Sequence, residues 1–92
     1  MSIPAERIER LADLAHGAAR AGRMDRARRY VRLARRIAER NRLSLPTRLD
    51  RFTCESCDAY LLPGRNARFR TRDGHVVVTC SCGAQDRYPY RE

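Results

Sequence analysis

Two amphipathic repeats in the first half and two close cysteine pairs in the second predict a small α+β chain. The expected order is a two-helix hairpin over residues 1–43, a linker over 44–53 and a four-cysteine ribbon over 54–92. A chain of 92 residues holds one small domain, or two submodules that share a core.

The first helix is announced by Ser2 as N-cap, Pro4 in the first turn and Glu6 near the positive end of the dipole. Ile8, Leu11, Ala12, Ala15, Ala18 and Ala19 then recur at three- and four-residue steps, with Glu9, Asp13, His16 and Arg20 opposite. Most of that stripe is alanine, so its partner can approach closely. Gly22 breaks the pattern, and Asp25 is placed to cap a second helix that runs to about Arg42.

The second helix carries Ala27, Tyr30, Val31, Ala34, Ile37 and Ala38 on one face. Arg28, Arg29, Arg32, Arg35 and Arg36 project from the other within roughly 120° of one another. Glu39 is the only acid in helical reach, paired at best with Arg35 or Arg36. A charged helix face is ordinarily a solvated one, but unrelieved like charge is better explained by an anion, so these residues are read as a phosphate-binding face. Ile8, Leu11, Leu14, Ala15 and Leu33, at or beside the apolar stripe, are assigned to a protein partner because a two-helix hairpin buries little by itself.

Leu43-Ser-Leu-Pro46 ends the helical pattern. Arg48 and Arg51 lead into Phe52 and Thr53, expected as a short strand. Pro63-Gly64 marks a turn, and Asp73-Gly74 marks a two-residue hairpin between strands at Ala67–Arg72 and His75–Thr79. Pairing outward from it sets Arg72 against His75, Thr71 against Val76, Arg70 against Val77 and Phe69 against Val78. Alternation places Phe69, Val76 and Val78 on the inner face, and Arg68, Arg70, Arg72 and His75 on the outer one. No carboxylate opposes the three arginines, which again suits phosphate better than plain solvation. Tyr88 and Tyr90 at the end are expected to cap the ribbon's core more than to stack on bases.

Cys54, Cys57, Cys80 and Cys82 are the only thiols, in the pairs Cys54-Glu-Ser-Cys57 and Cys80-Ser-Cys82-Gly83, with 22 residues between. Two tight pairs of soft thiolates form a tetrahedral cage for one structural Zn²⁺, and Gly83 suits the turn that follows the second pair. Disulfides would suit a secreted chain, but no signal-peptide-like stretch or membrane-length apolar run is present, so a cytoplasmic location is expected. An iron–sulfur cluster would use the same four thiolates, yet nothing else in the chain argues for redox chemistry.

All 20 basic residues are arginine; against 11 carboxylates they give a net charge of +9 and a pI near 10.6. Arginine-favouring codons account for the missing lysines; it is the net charge and its placement that point to nucleic acid. Catalysis is disfavoured. The two histidines lie far apart, no nucleophile–base spacing occurs, no glycine-rich phosphate loop is present, and a four-thiolate zinc has no open position.

Several segments together resemble a known family. They are the helix from Arg26 to Ala38, the Leu43–Pro46 break, the run CDAYLLPGRNARFRTR from Cys57 to Arg72, HVVVTC ending at Cys80, and the terminal RYPY. In this order they resemble the archaeal ribonuclease P protein component 4 family over nearly the whole chain. The resemblance implies a small non-catalytic subunit of the ribonucleoprotein that removes the 5′ leader from precursor tRNA. It implies zinc on Cys54, Cys57, Cys80 and Cys82, and RNA contacts from basic residues of the helices, linker and ribbon, with Arg48, Arg51, Arg68, Arg70 and Arg72 falling where the family places basic residues. Arg28, Arg32, Arg35 and Arg36 are added to these from the arginine face of helix 2. It also implies docking of the N-terminal helices on an Sm-like-barrel protein subunit, the pair binding the specificity domain of the catalytic RNA. The second cysteine pair departs from the family pattern, which has two residues between the cysteines where this chain has one. A zinc-ribbon nucleic-acid-binding protein of the ribosome or transcription machinery is the competing class, though a DNA reader needs Asn, Gln and Arg aimed at base edges, and helix 2 offers arginine alone.

Overall fold

The computed structural model describes residues 2–89. The chain divides into two compact units, Met1–Tyr60 and Leu61–Glu92, so Cys54 and Cys57 fall in the first and Cys80 and Cys82 in the second. Tyr90 lies outside the described residues.

The first unit holds α1 (Ile3–Arg20), α2 (Met24–Arg40) and a short α3 (Thr47–Arg51). Ser2 caps α1 as expected, its hydroxyl accepting the Ala5 N–H at 3.2 Å. The helix stops because Gly22 takes φ +82, which lets Gly22 N–H reach Ala19 O at 3.0 Å and Arg23 N–H reach Ala18 O at 2.8 Å. Asp25 is not the cap of α2. Arg23 occupies the N-cap position without a side-chain bond, and Asp25 sits in the first turn, accepting from Arg28 at 3.2 Å. The same closing motif ends α2 at Arg40, short of the expected Arg42: Arg42 turns left-handed (φ 54) and Leu43 N–H returns to Ala38 O at 2.8 Å.

Ile8, Ala12, Ala15, Ala18 and Ala19 of α1 are buried, as are Ala27, Val31, Ala34 and Ala38 of α2. So many small side chains allow a close helix–helix approach, with Ile8 and Val31 as the bulky inserts. Tyr30 and Ile37 are half-buried. The linker is not wholly extended: with Pro46 as N-cap, Thr47–Arg51 forms a helical turn that buries Leu49. The strand expected at Phe52 and Thr53 shrinks to a single bridge, Thr53 to Tyr60.

The second unit is an antiparallel sheet of β1 (Ala67–Arg72), β2 (His75–Cys80) and β3 (Gln85–Pro89), in that spatial order. The β1–β2 register pairs Arg72 with His75 and Phe69 with Val78, as the turn position predicts. Asp73 (φ 51) and Gly74 (φ 79) supply the two left-handed residues a tight hairpin requires. The third strand was not foreseen; it pairs Val76 with Tyr88, Val77 with Arg87 and Val78 with Asp86. Phe69, Val78 and Asp86 share one face, and Arg70, Val77 and Arg87 the other.

Candidate metal centre and nucleic-acid interface

Each cysteine pair lies in a turn closed by its own backbone. In the first, Asp58 N–H donates to Cys54 O at 2.8 Å and Cys54 N–H to Ala59 O at 3.0 Å. In the second, Gly83 N–H donates to Cys80 O at 2.9 Å and Cys80 N–H to Ala84 O at 2.8 Å. The locks correspond bond for bond, although the second turn is a residue shorter. Both need a left-handed residue after the second cysteine, met by Asp58 (φ 60) and Gly83 (φ 97). Ser81 N–H is held in addition by Asn66 O at 2.9 Å.

All four Sγ atoms lie within 4.8 Å of one another. A tetrahedral site with metal–sulfur bonds of about 2.3 Å has sulfur–sulfur edges of roughly 3.8 Å, so small inward movements complete it. Cys54 and Cys80 are buried, Cys57 is half-buried and Cys82 exposed. The donor set fits a soft or borderline dication closed to further ligands. It would hold its metal as a structural element.

Three arginines of α2 grip the first knuckle. Arg28 Nε donates to Cys57 O at 2.7 Å. Arg35 donates to Cys54 O at 3.3 Å, to Thr53 Oγ1 at 2.7 Å and to Asp58 Oδ1, while Arg32 Nε donates to Asp58 Oδ2 at 2.9 Å. Thr53, itself buried, donates its hydroxyl hydrogen bond to Leu49 O. Glu39 is therefore not the only acid available to this face. Asp58 neutralises its centre from 26 residues beyond Arg32. Guanidinium donors on the cysteine carbonyls also suit a centre whose four thiolates outweigh a dication's charge. Arg29 and Arg36 remain exposed, with no ion-pair partner among the described residues.

Arg48 is similarly engaged, donating to Asp13 Oδ1 at 2.5 Å and Glu9 O at 3.2 Å. The bond to Asp13 holds its guanidinium in the charged form against the cost of burial. Beside it, Tyr60 OH and His16 Nδ1 are 3.1 Å apart with their rings edge to face. Burial pushes the Tyr60 phenol up, Arg48 pulls it down and Asp13 adds to the rise. His16, expected on the polar side of α1, thus faces a protein contact.

Arg68, Arg70 and Arg72 are exposed on the outer sheet face, with no ion-pair partner among the described residues. Arg87 joins them across Val77. The sequence reading missed Arg87 because it missed β3; the alternation of Gln85, Arg87 and Pro89 was the available signal. Arg51 is exposed on α3.

The residues assigned to a protein partner divide. Ile8 and Ala15 are buried in the helix interface and present nothing outward. Leu11 is half-buried, while Leu14 (45%) and Leu33 (40%) are exposed, as is Ile3 at 72%. Ile3, Leu11, Leu14, Leu33 and Ile37 line a groove of about 380 Å³ edged by Arg7, Arg10, Arg36 and Arg40. No helix among the described residues is long and apolar enough to cross a membrane.

Residues 7–83 match the RNAse P Rpr2/Rpp21/SNM1 subunit domain. The chain belongs to that family. It is 71% identical to ribonuclease P protein component 4 of Halobacterium salinarum, with 97% of this chain and 96% of that protein aligned. The same-named protein of Methanocaldococcus jannaschii is 48% identical over 95% of this chain and 71% of its own length. Among solved structures, the fold superposes with a TM-score of 0.89 on a chain from the cryo-EM structure of archaeal ribonuclease P with mature tRNA. That chain is 48% identical, with 95% of this chain and 76% of that one covered. A second match, described as the Pfu Rpp21 structure, has a TM-score of 0.66 at 38% identity and covers 95% of this chain and 99% of that one. In this family member the second knuckle keeps the backbone lock with one spacer residue.

Proposed function

We propose that this chain is a non-catalytic protein subunit of ribonuclease P, acting in the cytoplasm on precursor tRNA through the catalytic RNA. It binds the specificity domain of that RNA and supports substrate recognition. The observation that carries the RNA contact is the outer sheet face, where Arg68, Arg70 and Arg72 stand on alternate positions with no carboxylate in register. Such a surface positions a phosphate backbone without reading sequence. Arg36 and Arg51 extend the contact from the helices. Arg28, Arg32, Arg35 and Arg48 already hold protein acceptors, so they touch RNA only through donors left over from those bonds. One Zn²⁺ on Cys54, Cys57, Cys80 and Cys82 holds the ribbon together. The groove around Leu11, Leu14 and Leu33 takes the Sm-like-barrel protein subunit.

Salt-titrated binding to ribonuclease P RNA tests the reading. Changing Arg68, Arg70 and Arg72 together to Gln removes up to three phosphate contacts and flattens the slope of log affinity against log salt by roughly 2 to 3. Single-turnover cleavage at saturating components keeps its site and its chemical step. An unchanged slope returns these arginines to a solvated face. A lost chemical step with intact assembly overturns the non-catalytic role. Recovery of ribosomal RNA or DNA with the tagged protein from its host favours a ribosomal or transcriptional zinc ribbon instead.

A further inference from the structure

The outer sheet face is not uniformly charged. Val77, half-buried, lies between Arg70 and Arg87 in one cross-strand row. In the next row Gln85 Nε2 donates to Thr79 Oγ1 at 3.3 Å. With Thr71 and Arg72 these residues line a cleft of about 380 Å³ in which Val77 is the one wholly aliphatic side chain, arginines form the walls and Thr79 and Gln85 the hydrogen-bonding end.

We propose that this cleft seats one unpaired nucleotide of a single-stranded RNA segment. Its base lies over Val77 between the guanidinium planes of Arg70 and Arg87. Its edge meets Thr79 and Gln85, and backbone phosphates on either side of it, two steps apart, rest on Arg68 and Arg72. The proposal rests on the RNA-binding reading above and narrows it to one strand form.

Three features support it. Alternate residues of β1 stand about 6.7 Å apart, close to the step between successive phosphates of one strand, so Arg68, Arg70 and Arg72 follow a single backbone. Arg70 and Arg87 are two strands apart, roughly 9.5 Å, which is too wide for one phosphate and leaves room for a ring between two planar cations. Thr79 and Gln85 supply a hydroxyl, an amide oxygen and a second amide N–H, groups that a phosphate track does not require and a base edge uses. A duplex stacks its bases inside and offers a flat sheet only backbone, leaving Val77, Thr79 and Gln85 without counterparts.

The test uses the full chain and three labelled probes: a short mixed-sequence RNA strand, the same sequence as a duplex, and the same strand with abasic positions. Charge alone favours the duplex, because it carries the denser phosphate array. The expected result is the reverse, with the intact strand bound roughly tenfold more tightly than either control. Arg87→Lys keeps the charge but not the plane; it erases that preference while leaving the salt slope unchanged. Gln85→Ala, a surface change outside the arginine set, reduces the preference in part. Salt-dependent binding without strand preference overturns this inference alone, as does a preference that survives Arg87→Lys. If no probe binds in a salt-dependent way, the RNA-binding reading falls and this inference falls with it.

Discussion

Asp58 joins the first knuckle to α2 through both its backbone and its carboxylate. It holds a left-handed backbone at φ 60, a conformation that aspartate tolerates better than most residues. Its carboxylate receives both Arg32 and Arg35. Asp58→Ala removes both partners and leaves two cations facing each other beside the cysteine carbonyls. Zinc affinity is expected to fall about 10- to 100-fold, as read by competition with a chromophoric chelator. Asp58→Gly relieves the backbone but not the charge, so it should fall between the two. Nothing in the local sequence marks this role. A search for acids at helical spacing offers Glu39 and overlooks Asp25, which pairs with Arg28 three residues on, and it cannot reach Asp58, which meets α2 only after the chain has turned through α3. By contrast the cysteines, Ser2, Gly22 and the Asp73-Gly74 turn were legible, since each acts through backbone geometry within a few residues of itself.

At the scale of elements, strong periodicity was readable and short elements were not. The long helices and the β1–β2 register follow from apolar spacing and one turn. Helix α3 has five residues, too few for a periodic signal, and exists because Pro46 sets its entry and Leu49 finds a buried place. Strand β3 reads Gln-Asp-Arg-Tyr-Pro, poor in strand formers, and gains its form from pairing with β2. Burial also separates two roles that one apolar stripe had merged. Ile8→Asp places a charge in the helix interface and should unfold the hairpin in the free protein, seen as lost helical circular dichroism. Leu14→Asp changes an exposed position and should leave that spectrum intact while weakening capture of the protein subunit. If both variants keep the helical spectrum, the interface is not the core that this burial describes.

For the molecule as a whole, the ribbon lacks the apolar mass to stand by itself. In the second unit Leu61, Val78 and Cys80 are the buried apolar residues among those described, and the first cysteine turn adds only Cys54, Ala59 and Tyr60. Chelation is therefore expected to melt the sheet while α1 and α2, with their own interface, keep most of their helical signal. Metal analysis of protein purified without chelator should give one zinc per chain, and less than half an equivalent would argue against a structural centre. A fully helical and fully folded apo-protein would do so as well.

The grip of α2 on Cys54 and Cys57 has a consequence for how the protein comes into being. Every group in that grip, from Arg28 to Asp58, lies within the first compact unit and none comes from the segment that carries Cys80 and Cys82. A two-thiolate half-site can thus be shaped without the second cysteine pair, its backbone turn closed and its counterions in place. Cys80 and Cys82, tethered by the segment in between, then arrive at high effective concentration to complete the cage. Assembly of the four-cysteine cluster acquires a direction, from the amino-terminal helices outward, with closure by the second pair as its last step.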